Sequence, residues 1–287
     1  MKITLQIAAL IAKILPARVK SLFYRSPKLA GKIRNTLNAA SPVGLTDTRV
    51  AGGFLQGFYL NLDMQTEKDY WLGTYEINLQ AAIKKFCHPG MVIYDIGANI
   101  GYISLIFTKQ VGKDGSVLSF EPLPDNCQRL SKNIALNKLD ERISVYQAAV
   151  VDKPGTALFL VHKSGAMGKA YGSLGRDEHY LTEIEVQAIT LDDFIFSQSH
   201  PYPDLIKMDI EGGEVLAIKG MHRTLAEIKP VLLVEIHSHL ALDCLWAEFQ
   251  SVDYQMVKME RGYPLINDPS ALGEKTYVIA VPNKKAG

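Results

Sequence analysis

Only three cysteines, Cys87, Cys127 and Cys244, occur in 287 residues, and no two of them stand at C-x-x-C spacing. An odd, scattered set supports neither a disulfide framework nor a zinc knuckle, and a reducing cytoplasm is the expected compartment. Excess charge is also missing. The 31 Lys and Arg residues against 30 Asp and Glu give +1 at neutral pH, which excludes a nucleic-acid partner held by bulk electrostatics. The apolar N-terminal stretch, Ile3 to Leu15, is interrupted by Gln6 and Lys13 and falls short of the roughly 20 residues that span a bilayer. No small-x-small cleavage site follows it, because Leu15-Pro16-Ala17-Arg18-Val19-Lys20 continues basic, so export is not expected. Internal repeats and low-complexity tracts are absent as well.

One sign of charge is missing from the first 34 residues, where Lys2, Lys13, Arg18, Lys20, Arg25, Lys28, Lys32 and Arg34 are unopposed by any acid. Two readings fit. The segment is an amphipathic helix on an anionic membrane surface, each basic residue adding about 1 kcal/mol, or a helix that packs on the domain or frays in solution. The first would make the protein peripheral at the inner face of the membrane. Residues 1–48 are expected to form this extension and a linker rich in Ser, Pro, Gly and Thr between Asn38 and Asp47. Residues 49–90 are expected to hold a hairpin (Arg49 to Asp63) and a helix from Trp71 to Phe86, stopped by Pro89-Gly90. The main domain is 91–283.

From Met91 onward short apolar runs alternate with helical patterns, the mark of an α/β domain with a parallel sheet and covering helices. Strands are predicted at Met91 to Asp95, Ser116 to Glu121, Ile143 to Ala148, Leu205 to Asp209, Val231 to His237, Tyr254 to Met259 and Tyr277 to Val281. Helices are predicted at Gly101 to Val111, Asp125 to Asn137, Gly213 to Ile228 and Leu240 to Gln250. These elements make a Rossmann-like sheet of about seven strands. Strands at Ala157 to His162 and Glu183 to Ile189 flank a glycine-rich segment, Lys163 to Arg176, which is either a substrate lid or a disordered hairpin tip.

The first strand runs into Asp95-Ile96-Gly97-Ala98-Asn99-Ile100-Gly101, and the second ends in Phe120-Glu121-Pro122. Gly97 and Gly101 allow a sharp turn and close approach of backbone to a ligand, and Glu121 stands roughly 20 residues on, where a ribose diol is held. The glycines are spaced G-x-x-x-G, without the third glycine of a dinucleotide fingerprint. An acid leading into the turn repels phosphate and suits a cationic, amino-acid-like ligand such as the methionyl end of S-adenosylmethionine.

Ligands of open α/β sheets bind at the carboxyl ends of the strands, and here those ends are polar. The fourth strand closes in Lys207-Met208-Asp209-Ile210-Glu211-Gly212-Gly213-Glu214 and the fifth in Glu235-Ile236-His237. Lys207, Asp209 and Glu211 share one side by alternation. A charged Lys207 in a buried strand requires a partner, either Glu235 or Asp209. Asp209, Glu211, His237 and His239 are metal-ligand types, but no H-E-x-x-H or comparable frame relates them, and no metal is expected.

These motifs, with Thr190-Leu191-Asp192-Asp193, stand in the order found in the FkbM methyltransferases, and the chain resembles that family over roughly Tyr70 to His237. The resemblance implies a class I fold, S-adenosylmethionine as cofactor, and O-methylation of a hydroxyl on a saccharide, glycolipid precursor or small natural product. Carried onto this chain, it places Asp95, Gly97, Ala98, Asn99 and Gly101 around the methionine part, Glu121 on the ribose hydroxyls and Ala148-Ala149 near adenine. Glu76 matches a Tyr-Glu dipeptide of relatives and would close the cofactor pocket. Displacement at a sulfonium requires alignment and a base for the acceptor proton. Asp209 and His237 are the candidates, with Lys207 and Glu211 beside them.

Overall fold

The computed structural model describes residues 3–14, 27–162, 168–174 and 180–283. They fall into two compact units, Met1–Ala81 with Lys132–Leu139, and Ala82–Ser131 with Asp140–Gly287.

The first unit contains helices α1 (Ile3–Ile14) and α2 (Pro27–Ala40), strands β1 (Leu45–Arg49) and β2 (Tyr59–Asp63), and the short helix α3 (Lys68–Leu72). The hairpin begins earlier than predicted, Leu45 pairing with Asp63, and α2 continues to Ala40, so most of the predicted linker is structured. Side chains from 132–139 satisfy the outer edge of β2. Asn133 Oδ1 accepts from the Asn61 N–H at 2.6 Å and Asn137 Oδ1 from that of Tyr59 at 2.9 Å. The helix predicted over 71–86 is in fact two. α3 stops at Gly73, whose φ of 70° is left-handed, and α4 spans Ile77–Phe86. A Cβ on Gly73 would lie 2.2 Å from the carbonyl oxygen of Gly52. The apolar spacing runs through this break because both helices turn an apolar face inward. Glu76, also at positive φ (45°), stands in this unit just before α4.

The second unit holds β3 (Val92–Ile96), α5 (Tyr102–Val111), β4 (Ser116–Phe120), the first part of α6 (Pro124–Leu136), β5 (Ile143–Tyr146), β6 (Ala149–Val150), β7 (Gly155–His162), β8 (Gly168–Ala170) and β9 (Tyr180–Ile189). There follow β10 (Leu205–Met208), α7 (Glu214–Lys219), β11 (Val231–Ile236), α8 (His239–Ser251), β12 (Tyr254–Lys258) and β13 (Thr276–Pro282). All seven predicted strands meet in one sheet, ordered β12-β13-β11-β10-β3-β4-β5. Six point the same way, and β13 alone of the seven runs against them, antiparallel to its neighbours β11 and β12. This is the Rossmann-like class I arrangement. Strand order reverses between β3 and β10, and such a switch point opens a crevice at the strands' carboxyl ends.

The core beneath that crevice includes Tyr94, Phe120, Met208, Val234 and Ile236, all at most 1% exposed. Burying each large apolar side chain contributes about 1.5–3 kcal/mol. The predicted strand 143–148 stops at Tyr146, and Ala149–Val150 joins a second sheet, β6-β9-β7-β8. The predicted helix 213–228 is also broken. α7 ends before Gly220, where a Cβ would stand 2.0 Å from the Val151 carbonyl oxygen. A wider turn, Thr224–Ile228, then resumes. Of the segment predicted as lid or loose tip, 163–167 and 175–176 lie outside the described residues. The part between forms β8 on β7, and the Leu174 N–H donates to the Gly212 carbonyl at 2.9 Å.

Candidate active site

The turn after β3 is fixed from below. Asp95 is fully buried; its Oδ2 accepts from Ser104 Oγ at 2.6 Å, and its Oδ1 lies 3.2 Å from Lys207 Nζ. Parallel register sets Lys207 directly beside Asp95. Lys207 Nζ also donates to the Gly97 carbonyl at 2.8 Å. The predicted partners of Lys207, Glu235 or Asp209, are therefore replaced by Asp95. The reason is geometric: Lys207 lies within β10 and reaches the neighbouring β3, whereas Asp209 stands beyond the last paired residue, Met208. Asp95 accordingly supports the turn through its buried contacts.

Gly97 has φ of 76°, and a Cβ there would stand 2.0 Å from the Asp209 carbonyl oxygen. This position admits only glycine without displacing backbone. Gly101, at φ 85°, opens α5, and a Cβ would strike Leu130 Cδ1 at 2.2 Å. Ala98 between them is 4% exposed. Asn99, at φ 50°, directs its N–H to Glu121 Oε2 at 2.9 Å. Glu121 Oε1 takes the Leu123 N–H at 3.0 Å and the Asn126 amide at 3.2 Å. Burial raises the Glu121 pKa, and those donors oppose the rise only in part. The structure thus joins the predicted acid to the glycine turn by a hydrogen bond. Ala148 and Ala149 follow β5, 3% and 5% exposed.

The second constellation surrounds His237, just past β11. Its Nδ1 bonds Glu214 Oε1 at 3.0 Å, and that same oxygen accepts the Ile210 and Gly212 N–H groups, each at 3.2 Å. One buried carboxylate thus shapes the 209–214 loop and orients the imidazole. On the other side, Nε2 faces Glu235 Oε1 at 3.4 Å and both Asp209 Oδ1 and Glu211 Oε2 at 3.6 Å. Burial disfavours charge on His237, but Glu214 and Glu235, aided by Asp209, outweigh it and raise its pKa to about 10. These carboxylates therefore favour a proton on the imidazole of His237, one of the two expected bases. Burial likewise opposes charge on Glu235, yet His237 and Lys275 hold its pKa down to about 2. Glu211 adopts φ of 54°.

The sequence reading brought Asp209, Glu211 and His237 together correctly but assigned no role to Glu214 or Lys275. Glu214 was visible at the end of its motif. Lys275 lies in an unpatterned loop and carried no signal. His239, exposed at the start of α8, stands outside the cluster. The Asp192 of the Thr190 motif is structural, its carboxylate accepting the N–H groups of Arg223 and Thr224, both at 2.8 Å.

The Methyltransferase FkbM domain family matches residues 95–263. Among curated proteins, the hexuronic acid methyltransferase AglP of Haloferax volcanii is 29% identical over 147 residues, covering 51% of this chain and 56% of that protein. The 2-O-methyltransferase NoeI of Sinorhizobium fredii is 30% identical over 155 residues, 49% of this chain and 61% of that protein. The chain therefore spans about three-fifths of the length of these relatives. A crystal structure of methyltransferase FkbM from Methylobacillus flagellatus KT is 20% identical, with a TM-score of 0.47, covering 77% of this chain and 56% of that one. The family match takes in the glycine turn, the Glu121 strand end and His237 with its four carboxylates, and the chain belongs to the FkbM family of S-adenosylmethionine-dependent methyltransferases.

Proposed function

We propose that this chain is an O-methyltransferase acting on a hydroxyl of a saccharide, glycolipid or polysaccharide precursor. The observation that carries the reading is the pairing, at one switch point, of a glycine turn bonded to Glu121 with a polar cluster at the tips of β10 and β11. The turn fits S-adenosylmethionine: Gly97, Ala98, Asn99 and Gly101 would line the methionine part, Glu121 would accept from the ribose hydroxyls, and Ala148 and Ala149 would border adenine. Bound there, the cofactor supplies a methyl group on a positively charged sulfur. Asp209, at the open tip of β10, accepts the acceptor's proton. Glu214 and His237 position it. The segment ending at Leu174 docks on the same loop and narrows access for water. The names of the relatives, a hexuronic acid and a 2-O-methyltransferase, support a sugar hydroxyl as acceptor.

The test offers labelled S-adenosylmethionine with a sugar-acid panel and with small hydroxylated metabolites. Transfer to the sugars is expected, and transfer only to the metabolites overturns the glycan assignment. Asp209→Asn should lower transfer about 100-fold, or about 2.7 kcal/mol, with S-adenosylhomocysteine binding retained. Wild-type turnover in that variant removes Asp209 as the base.

Membrane docking belongs to the same proposal. Ile3, Ile7, Leu10 and Ile14 form an exposed stripe on α1, and among the described residues no helix is long and apolar enough to cross a membrane. The basic residues Lys2, Arg18, Lys20 and Arg25 lie outside the described residues. Co-sedimentation with anionic liposomes should be lost on deleting residues 1–34.

A further inference from the structure

We propose that Asp209, Glu211 and His237 form a binding site for a divalent cation of the manganese or magnesium kind, which would hold the acceptor's hydroxyl groups beside the cofactor turn. One ligand atom from each residue, Asp209 Oδ1, Glu211 Oε2 and His237 Nε2, lies within 4.8 Å of the other two. The two oxygens each stand 3.6 Å from Nε2. That is too long for a hydrogen bond, which closes below about 3.2 Å. It is close to the spacing of atoms gathered round an ion, where ligands at about 2.1–2.4 Å and right angles stand about 3.0–3.4 Å apart. Small rotations of the partly exposed Asp209 and Glu211 side chains would close the difference.

A cluster of acids alone would not support this. The independent observation is the imidazole. The His237 side chain is only 2% exposed, yet its Nε2 has no hydrogen-bond partner and points into the gap between three carboxylates. Its other nitrogen is bonded to Glu214, a carboxylate with no exposure. A carboxylate on one ring nitrogen that fixes the tautomer and turns the other toward an ion is the usual outer support of a metal-ligating histidine. Charge agrees. Asp209, Glu211, Glu214 and Glu235 all converge on this imidazole, with one ammonium, Lys275, on Glu235, and such a group of carboxylates attracts a cation. Two carboxylate oxygens and one imidazole suit manganese or magnesium better than a thiolate-seeking metal. Three protein ligands leave positions for hydroxyls, which fits a vicinal diol of a sugar.

The role in catalysis rests on the methyl-transfer reading, whereas the binding site does not. The full chain is titrated with Mn2+, following the free ion by electron paramagnetic resonance, with S-adenosylhomocysteine binding measured separately by calorimetry. One Mn2+ per chain, displaced by excess Mg2+, is expected. Glu211→Gln, at a partly exposed position that folding tolerates, should weaken binding at least about tenfold, and Asp209→Asn further, with the circular dichroism of the wild type. Absence of binding at millimolar Mn2+, or wild-type binding in both variants, overturns the site. Homocysteine-product binding without Mn2+ binding defeats this inference alone. Mn2+ binding without it defeats the methyltransferase reading and leaves the ion site standing.

Discussion

Two buried charge groups lie on neighbouring strands, and they are built on opposite rules. Beneath the cofactor turn, Asp95 and Lys207 pair at 3.2 Å, Ser104 and the Gly97 carbonyl take further bonds, and both residues are at most 4% exposed. Around His237, four carboxylates crowd one imidazole, distances on the Nε2 side stay at 3.4–3.6 Å, and Asp209 and Glu211 retain access to solvent. The first group is closed and the second open. A closed pair fixes geometry, because every charge has found its partner inside the protein. An open group leaves attraction for something that arrives from outside.

Breaking the closed pair should have the largest effect. Lys207→Met strands the Asp95 carboxylate in the core and should lower unfolding free energy by about 3–5 kcal/mol in urea denaturation. A loss below 1 kcal/mol would show that the pair is not what holds the turn. Gly97→Ala forces a Cβ onto the Asp209 carbonyl at positive φ. Its expected cost is about 3 kcal/mol, with S-adenosylhomocysteine binding lost in calorimetry. Glu121→Gln keeps the shape but removes the charge, and binding of the same ligand should weaken about tenfold, or about 1.4 kcal/mol. Ser104→Ala deletes one bond to Asp95 and should cost about 1 kcal/mol in stability, leaving cofactor affinity near wild type. If the serine change instead abolished binding, the contrast between closed and open groups would need redrawing.

The sheet was legible because each strand is a short apolar run ending in polar residues, and burial on both faces leaves that mark directly. Helix breaks were not. Gly73 and Gly220 end helices through close backbone approaches to Gly52 and Val151, and neither partner is near in sequence. Apolar spacing reports which face is inward and is blind to such contacts. The site followed the same division. Asp209, Glu211 and His237 sit at strand ends where position along the chain predicts position in space. Lys275 reaches Glu235 from the loop before β13, and only the antiparallel return of that strand brings it there. The partner of Lys207 was misassigned because strand order is a tertiary property, and the β3–β10 adjacency cannot be read from either strand alone.

Gly97 has no side chain, and the carbonyl of Asp209 occupies the space one would fill. The turn proposed for the methyl donor and the loop proposed for the acceptor are therefore in van der Waals contact, with Lys207 bonded to the Gly97 carbonyl beside them. In the proposed function a ligand that stiffens one wall stiffens the other, and any change that methyl donor makes in acceptor affinity is returned by the same factor, by thermodynamic reciprocity.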